Sequence, residues 1–191
     1  MADPGIRTVC HRYPWWKCRL SHRYACISSQ NPASFFPDRD SYEVYLLRTN
    51  YEAVSVRLLN GKVPEETIQK MEEILESMRK IPAEEFESVF EYDNRFHEQL
   101  VLMSKLPRLA KAWKELYYGN LLAGYELVRE KEQILARQYD NHIAILNACK
   151  EGDPEKICRE VKKHYWKTIF RMMQEQKIED PNLEQAWMMA I

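Results

Sequence analysis

Glycine is scarce in this chain, five residues in 191. Tight hairpins draw on glycine for their positive-φ positions, so the scarcity favours long helices over turn-rich sheet. No stretch alternates apolar and polar residues at period two, and no hairpin dipeptide separates two strand-like runs. No run of 18 apolar residues occurs and mean hydropathy is −0.59, which excludes a membrane-spanning helix. The N-terminus lacks the uninterrupted apolar core of a signal peptide. A net charge of −1 gives no global bias toward nucleic acid. Five cysteines in 191 residues are too few for a disulfide framework. The expected compartment is the cytoplasm. What is present is enough for a core, since 45% of residues are apolar and 30% charged.

Glutamate is absent from residues 1–42. That segment carries Cys10, Cys18, Cys26, His11 and His22, with Trp15 and Trp16 adjacent. Pro4, Pro14, Pro32 and Pro37 interrupt any regular pattern. Five Lys or Arg against one Asp in residues 1–37, interleaved with Tyr13, Trp15, Trp16 and Tyr24, have the composition of a nucleic-acid contact. Yet no amphipathic helix pair or basic recognition helix is legible there. The cysteines and histidines lack the close Cys-x-x-Cys pairs of common zinc modules. Residues 1–40 therefore read as an irregular or disordered, even non-native, leader. A boundary at about 38–42 opens a helical domain over 41–180, and 181–191 form a tail or short helix.

The domain reads as consecutive helices. The first, 40–60, stops at Asn60-Gly61. The second, 64–80, opens at Pro64 and carries Ile68, Met71, Ile74, Leu75 and Met78 on one stripe. The third, 82–104, opens at Pro82 with Glu84 and Glu85 in its first turn. The fourth, 107–129, follows Pro107, and the fifth, 131–150, ends at Gly152. The sixth, 154–177, has Asp153 as N-cap and Pro154 at its first position. Residues 183–190 add a short last helix. Long helices with short connections predict an all-α antiparallel bundle of six to seven helices.

Five histidines occur in the whole chain, three of them in this domain. Asp93 and His97, in "EYDNRFHEQL", lie one helical turn apart and share a face with Phe86, Phe90 and Leu100. His142 shares a face with Ile145, Leu146 and Cys149. His164 comes seven residues after Ile157 and three after Val161. Every histidine of the domain thus points inward, with one aspartate, from three separate helices. A polar group aimed into a core needs a partner. A single inward histidine usually finds one in a neighbouring hydrogen bond. Three of them with a carboxylate also form a ligand set for a divalent ion, zinc or nickel. Bundles build such sites from facing helices. On spacing alone the two readings stand level.

Motif order adds a resemblance. "DNRFHEQL" resembles the D-x-x-F-H-x-x-L motif of the FCD domain, the C-terminal effector-binding domain of FadR-type GntR transcription regulators. "SKLPRL" at 104–109 resembles the turn after that helix. "HIAILNACKEGDPEKICREVKKH" at 142–164 resembles the H-x-x-I-x-x-A-x-x-x-G-D segment with its closing histidine. "LLRTNYEAVSVRLL" at 46–59 resembles the opening R-x-x-x-E helix. The likeness spans about 41–178. It implies an all-α bundle and a divalent metal held by Asp93, His97, His142 and His164. It also implies a small carboxylate effector bound beside the metal, with Arg48 near the effector, in a homodimer. Full members carry an N-terminal winged helix-turn-helix that residues 1–40 do not resemble. DNA binding is expected only if such a domain is present elsewhere.

The expected function is effector sensing rather than catalysis. The alternative is a metal-dependent enzyme on the same three-His, one-Asp site, since open positions can activate water. Against it, no inward residue stands out as a general base, and the Glu-x-x-His motifs of di-iron bundles are absent. A structural bundle without metal is the third reading. Cys149 and Cys158 are expected in the core. Trp113, Tyr117, Tyr118 and Tyr125 are expected in the core, on a dimer face or along the effector pocket.

Overall fold

The structure, a computed structural model, describes residues 39–86, 88–116 and 131–176, with Gln185, Trp187 and Met189 beyond them. The sequence readings of Cys10, His11, Cys18, His22 and Cys26, and of Tyr117, Tyr118 and Tyr125, lie outside the described residues.

Among the described residues there are six α-helices and no strand. They are α1 (Arg39–Leu58), α2 (Glu65–Arg79), α3 (Ser88–Leu102), α4 (Pro107–Glu115), α5 (Lys131–Glu151) and α6 (Pro154–Gln176). Local chemistry sets the ends. Asn60 and Gly61 both take positive φ, 48° and 73°, and the Gly61 N–H bonds back to the Val56 carbonyl at 3.0 Å. Such a 6→1 bond closes a helix in the Schellman manner. At the far turn the Asp153 Oδ1 accepts from the Glu155 N–H at 2.9 Å, capping α6 as its sequence predicts. On α2, Ile68, Met71, Ile74, Leu75 and Met78 are all buried, the stripe read from the sequence.

Two helices differ from expectation. The third does not run unbroken from Pro82. A 3-10 turn, Ala83–Glu85, comes first, and α3 opens at Ser88. The tighter turn carries Phe86 into the core, where it meets Phe90 edge-on at 5.5 Å. The fourth helix stops at Glu115, where Leu116 leaves helical geometry and its N–H bonds to the Trp113 carbonyl at 3.1 Å. The Leu116 carbonyl instead accepts from Arg48 Nη1 at 3.3 Å, so a tertiary contact takes over at the helix end.

α1 packs against α6 and α3, and α2 against α3 and α5. α1 is unusual in what it turns inward. Arg48, Thr49, Glu52 and Ser55 are fully buried, while Leu47, Val54 and Leu58 face outward at 42%, 50% and 57% exposure. Gln185, Trp187 and Met189 are helical, and Trp187 is buried with its ring 5.7 Å from Trp166. No described helix is long and apolar enough to cross a membrane.

Candidate metal centre

The four residues singled out by spacing meet in the core. Asp93 and His97 come from α3, His142 from α5 and His164 from α6, and all four are buried. Their potential ligand atoms lie within 4.8 Å of one another. That spread is close to the ~4 Å that two bonds of about 2.1 Å span across one ion. His142 Nε2 stands 3.1 Å from Asp93 Oδ1, and His164 Nε2 stands 3.5 Å from the same oxygen. The rings crowd together, His97 and His164 tilted with centroids 4.7 Å apart, His142 and His164 edge-to-face with centroids 4.6 Å apart.

Outer contacts decide which nitrogens face the centre. His97 Nδ1 lies 2.7 Å from Glu52 Oε2, and His142 Nδ1 lies 2.6 Å from the Gln138 carbonyl. Both partners are acceptors, so both Nδ1 atoms carry the hydrogen and each neutral ring keeps its lone pair on Nε2. His97 Nε2 and His142 Nε2 have no hydrogen-bond partner, nor has His164 Nδ1. His142 Nε2 nonetheless approaches Asp93 Oδ1 to 3.1 Å. Lone pairs that converge in a core are matched by a cation, a proton or a water. The donor set suits a divalent transition ion, and histidine anchored through its far nitrogen is the usual outer shell of such a site.

The charges agree. Burial is the largest influence on Asp93 and pushes its carboxyl up, but His142 and His164, with His97 nearby, outweigh it and hold Asp93 well below the usual carboxylate range. Burial, reinforced by the neighbouring His142, drives the His164 imidazole down to about 3 despite Asp93. A neutral imidazole beside an ionised carboxylate is the protonation state in which both act as metal ligands.

A second polar layer surrounds the centre. Glu52 is fully buried and accepts three hydrogen bonds: from His97, from Trp113 Nε1 at 3.0 Å and from the Tyr165 hydroxyl at 2.7 Å. Arg48 donates through Nε to Tyr165 at 3.2 Å and through its two terminal nitrogens to Asn94 Oδ1, each at 3.0 Å. Its guanidinium lies over the Trp113 ring, 3.7 Å from the centroid. Arg48 is therefore interior, one hydrogen bond from the residues lining the centre. Burial raises the Tyr165 hydroxyl well above its ordinary value, so it stays a donor.

The sequence signal for Glu52 was its place one turn after Arg48 on α1. Trp113, Tyr165 and Asn94 gave none that separates them from ordinary core residues. The Gln138 acceptor is a backbone carbonyl, which no side-chain pattern reveals.

As a class, this is an all-α domain organised around a buried His and Asp centre. A family model for the FCD domain matches residues 43–166, well over half of the chain. The chain belongs to the FCD domain family, the effector-sensing domain of GntR-type transcription regulators. Its fold is similar to that of E. coli McbR/YncC, with a TM-score of 0.61 at 19% identity. The match covers 73% of this chain and 66% of the other, so the chain spans just under two thirds of that protein's length. No curated protein sequence matches it.

Proposed function

We propose that this domain senses a small carboxylate through a divalent ion, zinc or nickel, held by Asp93, His97, His142 and His164. The observation that carries the proposal is the convergence of four buried ligand groups, with His97 Nε2 and His142 Nε2 left without hydrogen-bond partners. When bound, the ion supplies a Lewis-acidic attachment point for an oxygen ligand. Four protein ligands leave one or two positions free on an ion that takes five or six. Arg48 is the cation suited to pair with the far end of an anionic effector. The effector then acts by its different affinity for two arrangements of the bundle.

Sensing is favoured over catalysis because the nearest additional carboxylate, Glu52, is already occupied by three donors. It is a poor general base while so held. The reading includes a sensing domain over 41–180 flanked by a leader at 1–40 and a tail at 181–191. It places the protein in the cytoplasm, with DNA contact only through a winged helix-turn-helix elsewhere. It also includes a homodimer. The outward stripe of α1, Leu47, Val54 and Leu58, supports that part, since apolar side chains on one exposed face mark a contact surface.

Elemental analysis of the purified protein tests the core of the proposal, paired with His142→Ala. Zinc or nickel in the wild type, its loss in the variant and a melting temperature raised by added metal are expected. An ion-free protein indifferent to both metals would sink the reading. If metal is present, a thermal-shift screen of small carboxylates should find stabilising ligands, and turnover of any of them would point to an enzyme instead.

A further inference from the structure

Glu52 has no ligand role in the reading above, yet its environment is the most fully built around the centre. Three donors from three other helices reach its carboxylate: His97 on α3, Trp113 on α4 and Tyr165 on α6. A carboxylate so surrounded is an acceptor toward every neighbour. His97 can satisfy it only by presenting Nδ1–H, which leaves the lone pair on Nε2. Nε2 is the nitrogen that faces the other ligands and has no partner.

We propose that Glu52 is a positioning residue: it fixes His97 in the Nδ1–H form that a metal requires and links that ligand to the end of α4 through Trp113. This rests on the metal reading, although the tautomer can be tested without metal. The link has a physical route. Coordination at Nε2 polarises the ring and strengthens its Nδ1–H bond to Glu52. The opposite oxygen of Glu52 is shared by Trp113 and Tyr165. Trp113 lies beneath Arg48, which also grips the Leu116 carbonyl where α4 ends. Metal occupancy is thereby reported at the point where the chain leaves α4.

Glu52→Gln separates this role from mere packing. An amide has the same shape, but its NH₂ cannot accept a hydrogen bond. If that group faces His97, Nδ1 becomes the acceptor and the ring hydrogen moves to Nε2, where it blocks the ligand position. The measurements are nitrogen-15 histidine spectra of metal-free protein at mildly alkaline pH, zinc affinity by competition with a chromophoric chelator, and the Trp113 indole N–H resonance, assigned with Trp113→Phe. We expect an Nδ1–H His97 in the wild type and an Nε2–H His97 in Glu52→Gln. Zinc affinity should fall by roughly 10–100-fold in the variant. The Trp113 indole resonance of the wild type should shift when zinc is added. A wild-type His97 protonated on Nε2, or a folded variant that binds zinc within twofold of wild type, would overturn the proposal. If the variant does not fold, the wild-type tautomer and the zinc response of Trp113 decide the matter. A wild type that takes up no zinc defeats the sensing proposal; equal zinc binding by Glu52→Gln defeats only this one.

Discussion

Gly61 and Gly152 face each other across two turns, and a Cβ built on Gly61 would lie 2.3 Å from the Gly152 carbonyl oxygen. Gly61 also sits at φ +73°, a region that L side chains enter at a cost. The two effects add, because the obstructing atom belongs to the backbone. Gly61→Ala should lose about 1–3 kcal/mol, seen as a melting temperature lower by roughly 3–10 °C. Gly152→Ala is the control. It has a similar φ of +76°, but its nearest neighbour is 3.6 Å away. Its loss should be the smaller of the two, and equal losses would show that the close approach is unimportant.

The outward stripe of α1 predicts a change of assembly without a change of fold. Val54 is half exposed, so Val54→Glu buries no charge within the domain. Sedimentation should show the wild type as a dimer and the variant as a monomer, with the same helical circular dichroism. An unchanged sedimentation coefficient would move the dimer contact away from α1.

Arg57 on α1 and Glu155 on α6 form a forked pair at 3.1 and 3.0 Å on the surface. The hydrogen bond from Arg57 and then its charge lower the Glu155 carboxyl. A lowered carboxylate adds stability above its unfolded value of 4.5 and loses it as pH falls through the folded value. Wild type should therefore melt slightly above Glu155→Gln at neutral pH, and the two should converge in acid. Because the pair is exposed, added salt should narrow the gap as well. A gap independent of pH would assign the effect to something other than charge.

Cys149 and Cys158 are buried, and burial pushes their thiols up to about 12 and about 11. The thiolate is the reactive form. Iodoacetamide at mildly alkaline pH should leave both unmodified in the native protein and label both in urea, as read by peptide mass mapping. Rapid native labelling of either would mean that α5 and α6 open locally.

Much of this arrangement is legible in the sequence. Pro64, Pro107, Pro154, Asp153 and Gly61 mark helix ends because their chemistry is local. The α2 stripe and the inward Asp93, His97, His142 and His164 are visible because helical periodicity is also local. The break before α3 and the early end of α4 depend on where Phe86 and the Leu116 carbonyl find partners, which only the packed core determines. Trp113 and Tyr165 stayed hidden for the same reason, since an aromatic residue at helical spacing reads as core until its polar atom meets Glu52. α1 hid most, because its buried face mixes Arg48, Thr49, Glu52 and Ser55 with Tyr45, Ala53 and Val56.

The polar part of that face bears on the order of folding. Arg48 and Glu52 are tolerable inside only where their partners already stand: Asn94 and His97 on α3, Trp113 and Leu116 at the end of α4, Tyr165 on α6. An early collapse driven by Tyr45, Ala53 and Val56 alone would bury Arg48 and Glu52 before their partners are in place. α1 should therefore dock last, onto a core assembled from the later helices. Substitutions at Thr49 and Ser55 should accordingly speed unfolding and leave the folding rate nearly untouched.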